Sequence, residues 1–206
     1  MKIVIIDYGL GNLGSIKNML KKIGSEAIVS SSISDIERAE KLILPGVGNF
    51  DHGMRNLEAS GLLSVLEDRV IQKRAPILGI CLGMQLFARK SEEGESIGLG
   101  WVDAEVVRFK FDDKGRHLKI PHMGWNLVEI RQRNPLFEEM YSEPRFYFVH
   151  SYHVVCKNEN DILAETFHGY EFACAIKKEN IYGVQFHPEK SHKFGMKLLD
   201  NFVTRC

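Results

Sequence analysis

Hydrophobic positions in the first 90 residues alternate between short continuous runs and sets at helical spacing. Ile3 to Ile6 form a continuous apolar, β-branched run, which predicts a strand buried on both faces. Apolar residues then recur at helical spacing from Leu13 to Ile23, and Gly24 stands where a C-terminal cap belongs. Further strands are predicted at 26–29, 42–44 and 76–80, and further helices at 54–59, 62–73 and 82–90.

Two boundaries in this region depend on particular residues. Ser34 and Glu37 have the spacing of a capping box, which predicts that a short helix opens there. Pro45 has no backbone N–H, so the strand at 42–44 is predicted to stop at it. Because strand and helix alternate four times, the fold class is predicted as α/β, with an open, mostly parallel, doubly wound sheet.

The pattern changes after Gly94, where short strand-like runs follow one another with only short helical pieces between them. These runs predict antiparallel hairpins added to the sheet or its edge. They lie at 105–109, 125–130, 146–149, 162–166, 172–176 and 181–186, before a last amphipathic helix from about Phe194 to Val203. No linker or repeat interrupts the chain, so residues 1–206 are predicted to form a single domain.

Charge and cysteine content exclude several classes of protein. Lys plus Arg and Asp plus Glu each number 27, and a net charge of zero argues against a general nucleic-acid binder. No apolar run reaches the length of a membrane span, and the first run is too short for a signal peptide. The cysteines at 81, 156, 174 and 206 are far apart, which favours free thiols in the cytoplasm over disulfides or a zinc site.

Cys81 carries the strongest chemical signal. It lies within Gly79–Gln85, after an apolar strand and before a predicted helix, with a glycine two residues away on each side. This arrangement has the form of a nucleophile elbow, where glycines remove side chains that would clash. A helix N-terminus favours the thiolate, and the N–H of Leu82 points towards an oxyanion formed beside the sulfur. The alternative is a small buried cysteine at a glycine-rich turn.

A nucleophilic thiol needs a base, and the base needs a partner that orients it. His187 follows an apolar strand, at the edge where active sites of open α/β sheets gather. Glu189 lies two residues further on, close enough to hold the imidazole, and Pro188 stiffens the turn between them. A surface histidine in a turn is the alternative for this segment taken alone.

A second oxyanion donor is predicted in the glycine-rich segment after the third strand. In Pro45–Phe50 two glycines allow the backbone to approach a ligand and to aim N–H groups at it. A plain turn between strand and helix would have the same composition.

The segment Gly9–Gly14 matches the G-x-G-x-x-G pattern of dinucleotide-binding proteins. That function requires an acidic residue at the end of the second strand, which here ends in Ser30–Ser32. A turn that presents Tyr8 and Asn12 to a partner or ligand is the preferred interpretation.

Two further segments, Pro121–Asn126 and Tyr147–Tyr152, are dense in polar and aromatic residues. Such residues suit an interface, and core packing with satisfied polar ends is equally compatible. The histidines show no metal-ligand spacing, and no metal or cofactor is expected; they are His117, His122, His150, His153 and His168.

Together, Gly79–Gln85 and His187–Glu189 resemble the class I, or triad, glutamine amidotransferases. More narrowly, the whole chain resembles the glutaminase subunits of imidazole glycerol phosphate synthases, which implies a flavodoxin-like sheet. The segments that carry this resemblance are Asp7–Leu13, Pro45–Gly48, Pro121–Asn126, His150–Tyr152 and His187–Ser191.

The resemblance implies a mechanism for L-glutamine hydrolysis. Cys81 would attack the carboxamide carbon, and His187, oriented by Glu189, would take the thiol proton and give it to the leaving ammonia. Backbone N–H groups would stabilise the oxyanion, and water would hydrolyse the thioester to glutamate. The oxyanion positions are Leu82, Val47 and Gly48, and the substrate-binding positions are Gln85, Glu93, Ser151 and Tyr152.

The resemblance also implies a heterodimer with a (β/α)8-barrel cyclase of histidine biosynthesis. The cyclase would use the ammonia to make imidazole glycerol phosphate and AICAR. The implied interface positions are Asn12, Trp125, Asn126, Tyr147 and Lys190.

Three alternatives stay open on the sequence. A paralogue that feeds ammonia to another synthase, such as one that modifies a sugar, would keep every motif. A γ-glutamyl hydrolase or peptidase would need no partner. A non-catalytic binding module is disfavoured, because binding alone gives no reason for the cysteine, histidine and glutamate together.

Overall fold

The structure of the protein is a computed structural model that describes residues 2–112 and 118–206, so His117 lies outside the described residues. The strands are β1 (Ile3–Ile6), β2 (Ala27–Ser30), β3 (Lys41–Gly46), β4 (Ile77–Cys81), β5 (Lys90–Ser91), β6 (Ala104–Arg108), β7 (His122–Leu127), β8 (Glu129–Ile130), β9 (Arg145–His150), β10 (Tyr152–Cys156), β11 (Ile162–Phe167), β12 (Glu171–Lys178) and β13 (Ile181–Val184). The α-helices are α1 (Leu13–Lys22), α2 (Ile33–Glu37), α3 (Phe50–Ala59), α4 (Leu63–Glu67), α5 (Leu82–Gln85) and α6 (His192–Arg205).

One mixed sheet contains most of these strands, in the order β2-β1-β3-β4-β13-β12-β10-β6-β5, and β11 pairs both with β12 and with β8. The first five strands in that order are parallel, whereas β12, β10 and β6 each pair antiparallel with their predecessor. This arrangement confirms the predicted fold class, including the antiparallel additions in the second half. It also places the carboxyl ends of β3, β4 and β13 at one edge of the sheet.

Alternate side chains of the parallel strands enter two cores on opposite faces of the sheet. Val4 and Ile6 pack with apolar residues of α2, α3 and α4, whereas Ile3 and Ile5 pack with those of α1 and α6. Because both faces are covered, these strands consist of continuous apolar runs.

The first half departs from the predictions at three points. Strand β3 does not stop at Pro45 but continues to Gly46. Helix α2 begins at Ile33, so Ser34 lies inside its first turn and is not the cap. Helix α5 ends at Gln85, not near Lys90, because the apolar residues after it are buried in a turn.

The polar-aromatic segments form a separate antiparallel pair, β7 and β9. Strand alternation divides their side chains between two environments. His122 and His150 point inwards and are buried, while Trp125 on the same strand as His122 is 47% exposed. One side of the pair therefore packs in the core, while the other presents exposed side chains, for which an interface stays a prediction. Strand β10, which follows directly, has no counterpart among the predicted strands.

Candidate active site

Three strand ends bring the predicted catalytic segments together. Gly46 at the end of β3 pairs with Cys81 at the end of β4, and Val184 of β13 pairs with Ile80 on the other side of β4. The loop after β13 then carries His187 to the same edge. Residues separated by more than a hundred positions thus meet because of the strand order.

Cys81 has the strained backbone expected of a nucleophile elbow. Its φ is +54°, a conformation that costs a non-glycine residue energy. The neighbouring glycines make the turn possible, since a Cβ on Gly83 would lie 1.8 Å from the carbonyl oxygen of Leu44. A Cβ on Gly79 would lie 2.7 Å from the backbone nitrogen of Met84. Helix α5 therefore lies closer to β3 and β4 than residues with a Cβ at these two positions would allow.

His187 and Glu189 form a buried pair. The His187 Nδ1 lies 2.8 Å from Glu189 Oε1, and both side chains are 1% exposed. The Asn12 side-chain amide donates to the same carboxylate oxygen at 2.9 Å. Because this contact fixes Nδ1 as the donor, the other ring nitrogen, Nε2, is left to accept a proton. Nε2 is buried and has no hydrogen-bond partner within the described residues.

The surroundings of the pair shift the pKa values of both of its members. Burial opposes the charged imidazole, but interactions with Cys81 and Glu189 outweigh it and raise the pKa of His187 to about 10. Burial also disfavours the Glu189 carboxylate, but His187 and Asn12 outweigh that effect and lower the pKa of Glu189. The site therefore favours a negative charge on the carboxylate and a positive charge on the ring.

A cavity of about 380 Å³ opens over the Cys81 sulfur. All of the predicted catalytic, oxyanion and substrate-binding residues line it except Glu189, which lies behind His187. The lining residues are Val47, Gly48, Cys81, Leu82, Gln85, Glu93, Pro121, Val149, His150, Ser151, Tyr152 and His187. A larger hollow lies along Ile130–Glu139, but that segment contains no cysteine or histidine. We therefore place the chemistry at the smaller cavity.

The glycine-rich loop after β3 is exposed at Val47 and Gly48, and Gly48 has a φ of +100°. The loop ends at helix α3, whose first N–H, that of Phe50, donates to Glu93 Oε2 at 2.8 Å. Glu93, predicted to bind substrate, thus lines the cavity and also holds the end of this loop.

A chain of buried amides extends from the sulfur to the far wall of the cavity. Gln185 Nε2 lies 3.6 Å from the Cys81 sulfur, and Gln185 Oε1 accepts from Gln85 Nε2 at 3.0 Å. Gln85 Nε2 also donates to the backbone oxygen of Tyr152 at 3.0 Å. Sequence reasoning missed Gln185, although its position two residues before His187 was available as a signal.

The prediction that Tyr8 is presented to a partner is wrong. Tyr8 is only 4% exposed, and its hydroxyl lies 2.6 Å from the point where a Cβ on Gly46 would be. Burial, together with the neighbouring Cys81, raises the pKa of Tyr8. The Tyr8 hydroxyl instead lies beside Gly46 at the end of β3, and the chain turns directly after Tyr8, where Gly9 and Gly11 have positive φ values.

A group of buried histidines extends from the cavity lining, where His150 lies, into the protein interior. His122 Nδ1 lies 3.0 Å from His150 Nε2, and His150 Nδ1 lies 2.8 Å from the Tyr152 oxygen. His153 Nε2 lies 2.9 Å from the Tyr170 hydroxyl. Burial lowers the pKa of His122 and His153 to about 4 and that of His150 well below its usual value.

These histidines predict a loss of stability in mild acid. An unfolded histidine takes up a proton near pH 6.5, but the folded ones stay neutral until about pH 4, so folding is progressively penalised as the pH falls between these values. We expect the free energy of unfolding in urea to fall from pH 7 to pH 5 by roughly 1–2 kcal/mol for each of His122 and His153. His187 does not hide this loss of stability. Because its pKa is raised, its contribution to stability changes mainly above pH 6.5 and is nearly constant below it.

His153→Gln is the control for this pH dependence. It removes one of the buried histidines, so the fall in the free energy of unfolding between pH 7 and pH 5 should be smaller by the contribution of that one residue. An unfolding free energy that is the same at pH 7 and pH 5 would contradict the prediction.

The residues predicted at a partner interface divide into two groups. Trp125 stacks on His192 at 5.4 Å and meets Tyr147 edge-on, and the Lys190 ammonium lies 5.5 Å from the Tyr147 ring. These side chains form an aromatic surface beside the cavity. The side-chain amides of Asn12 and Asn126 instead point inwards, Asn12 to Glu189, and Asn126 to the Phe167 oxygen and the His122 ring.

Residues 2–112 and 118–206 contain no metal site, no membrane-spanning helix and no disulfide bond. No group of three or more histidine, cysteine or acidic side chains there is arranged to hold a metal ion. No helix in the same residues is long and apolar enough to cross a membrane. All four cysteines are free.

Known proteins resemble this chain over nearly its full length. The family described as glutamine amidotransferase class-I matches residues 4–206. The imidazole glycerol phosphate synthase subunit HisH 2 of Methanococcus maripaludis is 55% identical over 99% of this chain and 100% of its own. The subunit of the same name from Pseudomonas aeruginosa is 52% identical over 98% of each chain.

A solved structure supports the fold. The crystal structure of a glutamine amidotransferase superposes with a TM-score of 0.72, at 20% identity, over 97% of this chain and 96% of that one. The family match and the relatives agree with the elbow and the histidine–glutamate pair, and the chain belongs to the class-I glutamine amidotransferases, among the HisH subunits of imidazole glycerol phosphate synthase.

Proposed function

We propose that residues 1–206 form one cytoplasmic glutaminase domain that hydrolyses L-glutamine and passes the ammonia to a cyclase of histidine biosynthesis. One observation carries the proposal: the Cys81 elbow and the buried His187–Glu189 pair line and support a single cavity. The dimensions of this cavity suit an amino acid, and its wall combines backbone donors with amide and carboxylate groups.

In the reacting state His187 Nε2 carries the proton of the Cys81 thiol, in keeping with the raised pKa of His187. The thiolate attacks the carboxamide carbon of glutamine, and the N–H groups of Leu82 and of the Val47–Gly48 loop stabilise the oxyanion. The intermediate collapses by breaking the carbon–nitrogen bond, and His187 gives its proton to the leaving ammonia. Water, deprotonated by His187, then attacks the γ-glutamyl thioester and releases glutamate and the thiol.

The cavity wall suits the α-amino and carboxylate ends of glutamine. Both N–H groups of Gln85 are used by Tyr152 and Gln185, so its oxygen is left as an acceptor for the substrate ammonium group. Ser151 and Tyr152 also line the cavity, where their backbone and hydroxyl groups can bind the carboxylate.

The partner we propose is a (β/α)8-barrel cyclase bound at the aromatic surface of Trp125, Tyr147 and Lys190. The exposed side of β7 supports this, since Met123, Trp125 and Leu127 on it are 62%, 47% and 45% exposed. Large exposed aromatic and apolar side chains beside an active site are typical of protein interfaces. In the complex the cyclase converts ammonia and its ribotide substrate into imidazole glycerol phosphate and AICAR.

Glutamine turnover with and without the cyclase tests this function. We expect the free chain to be a poor glutaminase and the complex a good one, because the exposed Val47–Gly48 loop can hold its N–H groups away from the oxyanion until the partner binds. Ammonia release from glutamine is measured for each mixture. Equal turnover with and without the cyclase would contradict the coupling, and no turnover in either would contradict the function.

A paralogue that serves another synthase is the second candidate, because both relatives carry the number 2 in their names. A histidine auxotroph that lacks its glutaminase subunit separates the two. Growth without histidine supports the first function, and failure to grow despite active glutaminase supports the paralogue.

A further inference from the structure

Gln185 is the nearest side-chain amide to the catalytic sulfur, yet the mechanism above does not use it. It is fully buried, and its Nε2 lies 3.6 Å from Cys81 Sγ, within the range of a hydrogen bond to sulfur. A buried glutamine can simply satisfy its own polar atoms, so the direction in which its amide points decides whether it acts on the sulfur.

The Tyr152 backbone oxygen fixes that direction. A carbonyl oxygen can only accept, so the Gln85 atom 3.0 Å from it must be the nitrogen. The same Gln85 nitrogen lies 3.0 Å from Gln185, and that contact requires the oxygen of Gln185. The Gln185 nitrogen therefore faces Cys81, because the opposite orientation would place two donors or two acceptors against each other.

Buried histidines hold the Tyr152 oxygen from the other side. His150 Nδ1 must carry a proton to donate to it, so His150 Nε2 accepts from His122 Nδ1. His122 Nε2 in turn accepts from the Asn126 amide at 3.2 Å. Every donor and acceptor in this network has a consistent assignment with both rings neutral, which agrees with their lowered pKa values.

We propose that Gln185 is a further catalytic residue, whose amide N–H donates to the Cys81 thiolate, stabilises its charge and holds the sulfur in place for attack. A thiolate accepts a hydrogen bond far better than a thiol does, so a fixed donor favours the charged form. The proposal rests on the proposed function of Cys81 as the nucleophile. The other titratable groups that line the cavity are Glu93, His150, Tyr152 and His187, with Tyr8 and Glu189 next to them, and none of them changes in the test below.

The test compares two substitutions that remove the donor. Gln185→Met has similar length and no hydrogen bonds, whereas Gln185→Glu keeps an acceptor for Gln85 but places a negative charge beside the sulfur. We expect the pH midpoint of Cys81 alkylation by iodoacetamide to rise by about one unit in the methionine variant and by more in the glutamate variant. Mass spectrometry of the Cys81 peptide separates it from the other cysteines.

Glutamine kcat/KM should fall in both variants, by about tenfold at any pH below the wild-type alkylation midpoint, where a one-unit rise of the midpoint lowers the thiolate fraction tenfold. Gln72→Glu makes the same chemical change on an exposed side chain and should leave the midpoint and the activity unaltered. Folded Gln185 variants that keep the wild-type midpoint would overturn the proposal.

Two further outcomes are informative. A wild-type Cys81 that shows no pH-dependent alkylation and no glutamine turnover would count against the proposed function itself. If both Gln185 variants fail to fold, NMR of the wild-type protein decides. The side-chain amide resonance of Gln185 should shift as Cys81 titrates, and the shift should vanish in Cys81→Ser. A resonance that does not respond to Cys81 titration would overturn the proposal.

Discussion

Replacing Cys81 with alanine is expected to reduce glutamine hydrolysis by at least about 10⁴-fold, since removal of a catalytic nucleophile removes the covalent route. Synthesis driven by added ammonium salts in the complex should be spared, because it bypasses the thiol. The fold should be retained, since alanine is smaller and strand β4 stays packed on both faces. Ammonia release and ammonium-dependent product formation are measured on the same preparation.

Cys156→Ala provides the matched control. Cys156 is a partly exposed free cysteine at the end of β10, and its loss should leave glutamine turnover within about twofold of the wild type. Glutamine-dependent activity that survives in Cys81→Ala would show that another residue is the nucleophile.

Gly83→Ala is expected to destabilise the protein by about 3–5 kcal/mol. The added Cβ would lie 1.8 Å from the Leu44 oxygen and 2.8 Å from its carbon. Both are backbone atoms in the middle of the sheet, so neither can move without separating α5 from β3. The N–H of Leu82, at the start of α5, would move with the helix, and glutamine turnover should fall along with stability.

Urea unfolding measures this effect, and Gly14→Ala is its control. Gly14 lies inside helix α1, and a Cβ on it would meet no atom within 4 Å. Alanine there should stabilise the protein by about 0.5–1 kcal/mol, because glycine weakens helices. Equal unfolding free energies for the two variants would show that α5 is not held against β3 as described.

The hydrophobic pattern predicted the parallel strands well, since β1, β3, β4 and β13 are short, mostly apolar runs that are buried along their whole length, and only the edge strand β2 is partly exposed. It failed at Pro45 for a reason that lies in the pairing. Strand β1 pairs with β3 only as far as Ile43, so beyond that residue one side of β3 has no β1 partner. Proline is tolerated where no ladder hydrogen bond is lost, and this freedom follows from the strand register rather than from local composition.

The length of α5 was wrong for a different reason. Leu86, Phe87 and Ala88 continue the helical-looking composition, yet they are buried all round, and Phe87 stacks on Trp101 at 5.4 Å. A run of apolar residues does not distinguish a helix from a buried turn. Tertiary packing against a residue further along the chain decides between them.

Within the site, the sequence indicated the residues in and next to the motifs. It did not indicate the contacts of Gln185 or of the buried histidines. The Gln185 contact with Cys81 depends on the register of β13 against β4, which places Val184 opposite Ile80. The inward-facing histidines depend on the pairing of β7 with β9. No short-range pattern contains either relationship, so they become visible only in three dimensions.

The two-sided character of β7 has a consequence for protein engineering. The outward positions Met123, Trp125 and Leu127 are separate from the inward His122, whose ring contacts His150 in the cavity lining. If the proposed cyclase binds at these outer positions, substitutions there should change which partner binds and leave the chemistry of the cleft intact.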